Sequence, residues 1–280
     1  MTAGFDPARF GCAPAGRPLL MGVINVTPDS FSDGGLHATA DAAIAHGRSL
    51  AAAGADILDV GGESTRPGAA EITAAEEAAR ILPVIEALAG DGFVVSVDTR
   101  RARVMEAALA RGARIVNDVT ALSGDRDSLA VVARSGAPAI LMHMQGEPAT
   151  MQVAPRYDDV VREVGAFLAA RVAACAAAGI DRGRLCVDPG IGFGKTVAHN
   201  LALLRALPAL CVAGCGLLVG ASRKAFIGKL SRGESPPERV PGSIAVALHA
   251  AAAGADILRV HDVAETRQAL EVWRALQGAG

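Results

Sequence analysis

The sequence predicts a closed (β/α)8 TIM barrel in a single domain, and three observations carry that prediction. Eight short runs rich in β-branched and other apolar residues recur at 19–24, 56–60, 93–97, 114–117, 138–142, 185–187, 216–220 and 256–260. Between them lie Ala-, Leu-, Glu- and Arg-rich stretches with helical spacing, among them 74–89, 101–110, 158–178 and 262–276. Each run is followed closely by polar side chains. Apolar runs alternating with helices read as parallel strands joined by crossover helices. Eight such units in 280 residues match the size of a barrel; an open doubly wound sheet is the other arrangement that alternation permits.

The elements justify themselves in turn. The segment Ala51 to Val60 recurs at 251–260 with a single change, Asp59 to Arg259, and more weakly at 110–117. In each copy a helix ends, Gly54, Gly254 or Gly112 supplies a left-handed turn, and a strand begins. The exchanged position is charged, which a repeat kept for packing alone would not need. The Pro-rich stretch from Ser235 to Pro241 reads as a surface loop, because a further helix and strand must follow it to close the barrel. The domain boundaries expected are an N-terminal extension over 1–18 and the barrel domain over 19–280.

A net charge of −2 with no polybasic stripe argues against nucleic acid and anionic membrane as partners. Cys12, Cys175, Cys186, Cys211 and Cys215 form no Cys-x-x-Cys pair, which suits reduced thiols and a cytoplasmic location. Residues 1–18 have no apolar core of a signal peptide, and the Ala-rich runs are broken by charge before they reach spanning length.

In a closed parallel barrel every strand points the same way, so the residues after the strands converge on one mouth. They are Asn25, Glu63 to Arg66, Asp98 and Thr99, Asn117 and Asp118, His143, Asp188, Ser222 to Lys224, and Arg259 to Asp262. Asp98, Asn117 and Asp188 offer carboxylate or amide groups suited to the donor and acceptor atoms of a flat heterocycle. Arg259 and His261, two apart on one strand, share a face and can grip phosphate oxygens; Lys224 can serve either ligand. The stretch Asp188-Pro-Gly-Ile-Gly-Phe-Gly-Lys-Thr196 ends in Gly-Lys-Thr, but a P-loop needs glycine where Pro189 stands. Two Gly-rich segments, Asn25 to Gly35 and Gly61 to Gly68, read as loops able to close over the mouth. Simpler explanations stand beside these: Asp59, Asp118 and Asp262 can cap a helix or bind their own loop, and His143, between two methionines, reads as a packed histidine rather than a base.

The chain resembles the dihydropteroate synthase family from about residue 19 to residue 273. The likeness rests on Met21 to Gly35, Asp59 to Gly68, Ser96 to Thr99, Asn117-Asp118, Leu141 to Met144, Asp188 to Gly194, Gly220 to Lys224 and Arg259-Val-His261. It implies a barrel, usually a homodimer, that condenses 6-hydroxymethyl-7,8-dihydropterin diphosphate with 4-aminobenzoate, giving 7,8-dihydropteroate and diphosphate with Mg2+. Carried over residue by residue, it implies that Asp98, Asn117, Asp188 and Lys224 hold the pterin and that Asn25 binds the metal. Thr65, Arg259 and His261 would hold the diphosphate; Phe31, Arg66, Pro67, Phe193 and Ser222 would border the aminobenzoate. Asp98, Lys224, Arg259 and His261 are the residues expected to carry catalysis. Two other readings share the barrel: a non-catalytic pterin-binding paralogue, marked by damaged loops, and a methyltransferase acting on a methylated pterin, which would not need Arg259-x-His261.

Overall fold

The computed structural model describes residues 10, 17–27, 35–64, 71–147 and 150–278. Eight parallel strands close into a barrel in chain order, β8 pairing with β1: β1 (Leu19–Asn25), β2 (Ile57–Gly61), β3 (Val95–Asp98), β4 (Ile115–Asp118), β5 (Ala139–Met142), β6 (Leu185–Asp188), β7 (Gly216–Val219) and β8 (Ile257–Val260). The helices outside are α1 (Gly35–Ala52), α2 (Ala74–Gly90), α3 (Ala102–Ala110), α4 (Ser128–Ser135), α5 (Val160–Ala177), α6 (Val197–Arg205), α7 (Leu207–Leu210), α8 (Ala225–Leu230), α9 (Val240–Ala252) and α10 (Val263–Leu276). Closure excludes the open sheet. Each apolar run became one strand, shifted at its ends by no more than a turn's fraying. Among the described residues no helix is long and apolar enough to cross a membrane.

The pleat sorts side chains by twos. One set, among it Leu20, Ile24, Leu58 and Val60, faces outward and packs with helix residues such as Ile81 and Ile85 of α2 to form the large buried core under the helices. The other fills the barrel's interior: Leu19, Met21, Ile57, Ile115, Ile140, Cys186, Leu218 and Ile257. Two residues further along four of these interior columns the chain turns polar, at Asp59, Asn117, Asp188 and Arg259. The floor is apolar and the mouth is charged, which is the segregation a site needs.

Gly54, Gly112 and Gly254 all have left-handed φ, at +101°, +99° and +87°, as the repeat predicts. The aspartate that follows does matching work in both copies. Asp56 exchanges bonds with Leu20, its amide donating to the Leu20 carbonyl and its carboxylate accepting the Leu20 amide, each at 2.8 Å; Asp256 does the same with Leu217, also at 2.8 Å. Each bracket ties the start of a strand to the strand before it.

Before β1, two residues are built into the barrel. Arg17 pairs bidentately with buried Asp56, both contacts at 2.7 Å. Phe10 is 5% exposed, donates its amide to the Gly183 carbonyl at 2.7 Å and seats its ring among the interior floor residues. Phe10 plugs the closed end. Phe10→Ala would leave a cavity there, and it is expected to cost ~3–5 kcal/mol, read as a lower urea midpoint at an unchanged slope.

Candidate active site

The mouth is organised around Arg259. Its Nε donates to Asp59 Oδ2 at 2.7 Å and its Nη2 to Asp98 Oδ2 at 2.7 Å. Asp59 is fully buried and also accepts from Asn117 Nδ2 at 3.1 Å. The one exchanged position of the internal repeat is therefore an ion pair: β2 and β8 flank β1, and registers of Val23 with Asp59 and Met21 with Arg259 bring the two charges together. Capping is not the role of Asp59. Nor are the acceptor group and the cationic group separate, as their chemistry suggested, because Asp98 belongs to both. Burial raises the pKa of Asp98 and the charge of Arg259 opposes the rise; for Arg259 burial works against the cation, but Asp59 and Asp98 outweigh it and the pKa is raised. Neither ion pair uses Nη1, which leaves one edge of the fork for a ligand.

Asp188 ends β6 and is 5% exposed. Burial pushes its pKa up to about 6, against the Gly190 amide, which donates to Oδ1 at 2.7 Å, and against Lys224, Arg259 and Lys195. Lys224 stands over the Phe193 ring at 4.0 Å from its centre, a cation–π contact. Burial and Arg259 bring the Lys224 pKa down to about 8. Asp188, Lys224, Phe193, Arg259 and Asp98 thus line one continuous region, with Asn117 buried beside it at 6% exposure.

His261 meets Ser222: its backbone amide donates to Ser222 Oγ at 3.2 Å and its Nδ1 lies 3.1 Å from the same oxygen. With Oγ already accepting from the amide, the hydroxyl is best placed to donate to Nδ1, so the imidazole carries its proton on Nε2. Burial and the cations Arg259, Arg223 and Lys224 bring its pKa down to about 3. His261 is a neutral donor of one hydrogen bond. Arg223, with left-handed φ of +58°, grips both carboxylate oxygens of Asp262 and takes its amide to Ser243 Oγ at 2.9 Å. Asp262 therefore steadies the Ser222 to Lys224 turn instead of capping α10, whereas Asp118 does bind its own loop through Thr120 and Leu122.

The turn after β6 depends on its glycines. Gly190, Gly192 and Gly194 have φ of +66°, +84° and +61°, and a Cβ on Gly190 would lie on the His143 carbonyl oxygen. Gly190→Ala is expected to cost about 2 kcal/mol or more through strain alone and to move the Asp188 anchor, which thermal unfolding and ligand titration would both register. Asn200 Oδ1 accepts the Gly192 amide at 2.7 Å from within the protein.

On the neighbouring side, Glu63 accepts from Arg101 Nη2 at 2.8 Å and Arg100 Nε at 3.2 Å, while Arg101 Nη1 donates to buried Glu77 at 2.6 Å. Arg101 also reaches the Ile72 carbonyl at 2.6 Å. The segment following β2 is thereby tied to the segment following β3. His143 packs edge-on against Phe167, ring centres 4.9 Å apart, and burial with Lys195 nearby brings its pKa down to about 3; it is a packed neutral histidine.

Of the residues expected here, Phe31, Thr65, Arg66 and Pro67 lie outside the described residues. Asn25 stands half-buried at the end of β1, paired with Gly61 of β2. Its amide oxygen is a hard donor, and among the described residues no cluster of three or more His, Cys, Asp or Glu could cage a metal. A single hard oxygen donor of this kind fits a cation such as Mg2+. Sequence reasoning placed Arg223 at the mouth without a role and missed Asp59, Lys195, Asn200 and Arg101 as parts of the site. Of those four, Asp59 alone had a signal, its charge exchange within the repeat.

The pattern of the pterin binding enzyme family matches residues 21–261. The chain is 52% identical over 266 residues to the dihydropteroate synthase of Neisseria meningitidis serogroup B, covering 93% of both proteins. Among solved structures it is similar to Xanthomonas albilineans dihydropteroate synthase with 4-aminobenzoic acid, at 52% identity and a TM-score of 0.89, covering 97% of this chain and 99% of that one. The same enzyme in complex with 7,8-dihydropteroate matches at 50% identity and a TM-score of 0.86, covering 96% and 98%.

Proposed function

The chain belongs to the pterin binding enzyme family and, within it, to the dihydropteroate synthases, and from that membership we propose how its barrel mouth joins 6-hydroxymethyl-7,8-dihydropterin diphosphate to 4-aminobenzoate. The observation that carries this reading is Arg259, held between Asp59 and Asp98 with one guanidinium edge outside both pairs. The fork is pre-oriented beside the acceptor groups that a pterin requires. Asp188 accepts from the donor-rich edge of the pterin, Asn117 supplies amide donor and acceptor atoms, and Lys224 closes the pterin site from above Phe193. Thr65, Arg259 and His261 hold the diphosphate; Phe31, Arg66, Pro67, Phe193 and Ser222 border the aminobenzoate. We assign the barrel domain to residues 19–280, with 1–18 as an extension of which Phe10 and Arg17 pack into the barrel.

The carbon–oxygen bond between the exocyclic methylene and the diphosphate breaks, and the diphosphate keeps the electron pair. The aniline nitrogen, a weak nucleophile, forms the new carbon–nitrogen bond and releases a proton to water. Positive charge on the methylene spreads into the dihydropterin ring and is favoured by the Asp98 carboxylate in a water-poor site. Arg259 and His261 donate hydrogen bonds to the departing oxygens, where charge grows. Asn25 would hold Mg2+, which when bound offsets charge on the leaving group. Phe193 and Lys224 position the amine and keep water from competing. We place the enzyme in the cytoplasm as a homodimer, on the scattered cysteines, unpaired among the described residues, and the family likeness.

Incubation of the protein with Mg2+, the pterin diphosphate and 4-aminobenzoate should yield diphosphate and dihydropteroate in equal amounts. Diphosphate alone would mean that departure works and the amine site does not; neither product, with pterin bound, would support a non-catalytic binder.

A further inference from the structure

Lys195 has no place in the mechanism above, yet it is 3% exposed and lies against the site. A lysine is seldom buried unless its ammonium is satisfied. Here three acceptors meet its three N–H groups: Phe193 carbonyl oxygen at 2.9 Å, His143 Nδ1 at 3.0 Å and His143 carbonyl oxygen at 3.4 Å. The His143 amide in turn donates to the Asp188 carbonyl at 3.0 Å. Lys195 therefore bolts the Gly-rich turn after β6 to the end of β5. It does so at the residue whose ring carries Lys224.

We infer that Lys195 is a positioning residue for both substrates, holding the Phe193 wall of the amine site through the Phe193 carbonyl and placing a positive charge behind Asp188. This rests on the functional reading above. Two alternatives explain Lys195 less well. A salt bridge is absent among its contacts, since no carboxylate oxygen lies within bonding distance of Nζ among the described residues. A base role in the reaction would require Nζ to face the substrate, and its three donors are turned to the turn and to β5 instead.

The charge has a consequence for pH. Asp188 is faced by Lys224 from the segment after β7, Arg259 from β8, Lys195 from its own turn and the Gly190 amide; all four favour its carboxylate, while burial opposes them. Around Lys195, burial and Lys224 disfavour the cation and Asp188 favours it, leaving its pKa at about 7; His143 beside it is neutral. The three acceptors around Nζ suit an ammonium, and that charge favours the Asp188 carboxylate. Removing that charge makes Asp188 easier to protonate, so its acceptor oxygens are lost at a higher pH.

The test uses the full chain and two substitutions, Lys195→Met and Lys195→Gln, the second keeping an N–H donor without the charge. Binding of 6-hydroxymethylpterin is titrated across pH, and KM is measured for both substrates. For Lys195→Met the KM for 4-aminobenzoate should rise about tenfold, and the acid midpoint of pterin binding should move up by about one unit. KM for the pterin diphosphate above that midpoint should change by less than about twofold. Lys195→Gln should recover most of the amine KM and none of the midpoint. A midpoint unmoved in both variants, or equal rises of both KM values, would overturn the inference. If neither variant folds, the nitrogen-15 spectrum of the unmutated chain decides, with His143 assigned by the signal missing in His143→Gln: Nδ1 must be the unprotonated nitrogen, and a proton on Nδ1 would refute the bond from Lys195. Failure of the unmutated chain to form dihydropteroate would instead defeat the functional reading, and the pterin midpoints would still be measurable.

Discussion

Arg259→Ala is expected to lower turnover by about 10²–10³-fold while leaving pterin affinity largely in place. The same change should cost ~3–5 kcal/mol of stability, because Arg259 sits between Asp59 and Asp98 and its loss strands a carboxylate that is wholly buried. The two losses have different origins and can be separated. Adding Asp59→Asn to the alanine variant removes the stranded charge, so thermal stability should return while turnover stays low. Recovery of turnover along with stability would show that Arg259 acts only as a structural counter-ion. Arg259→Lys keeps the charge but cannot span both carboxylates as a planar fork, and it should fall between the two.

Asp188→Ala is expected to weaken pterin binding by about 10²-fold, the worth of hydrogen bonds to a charged acceptor in a dry site. Turnover at saturating pterin diphosphate should fall far less. Asp188→Asn keeps an oxygen for the Gly190 amide and tests the charge alone. Acid should imitate it. The Asp188 pKa is raised by burial to about 6, so in the ligand-free protein the carboxyl is protonated below that value and ionised above it. Pterin affinity should therefore be full above about 6 and decline as pH falls through it. Calorimetric titration of a non-reacting pterin across that range would show the decline in the unmutated chain and its absence in Asp188→Asn. A flat profile in both would remove Asp188 from the pterin site.

These expectations draw on two kinds of information that the chain encodes differently. Strands were legible because burial on both faces demands uninterrupted apolar runs such as Leu19 to Ile24 or Leu185 to Val187. The turns before β2, β4 and β8 were legible because left-handed φ at Gly54, Gly112 and Gly254 suits glycine. The membership of Asn117, Asp188 and Arg259 in one mouth followed from those two facts, since parallel strands of similar length end on one side. All of this is local, or follows from topology alone.

What tertiary structure decided is which of those residues touch. Asp59 and Arg259 are 200 positions apart, and they meet only because β8 closes against β1 and brings its charge within reach of β2. Before closure, an aspartate ahead of a turn and an arginine at a strand end each have ordinary local explanations. Lys195 was hidden for a related reason. In the sequence it completes a misleading Gly-Lys-Thr; in the fold its ammonium is turned away from solvent toward His143 and Phe193, a contact set by how the Gly-rich turn folds back on β5. Periodicity and turn chemistry are written in neighbouring residues, so the sequence alone determined the barrel and the end at which it is polar. Hydrogen bonds and ion pairs depend on directions and distances of a few ångströms between remote segments, so only the closed barrel decided the Asp59–Arg259–Asp98 bridge and the Lys195 bolt.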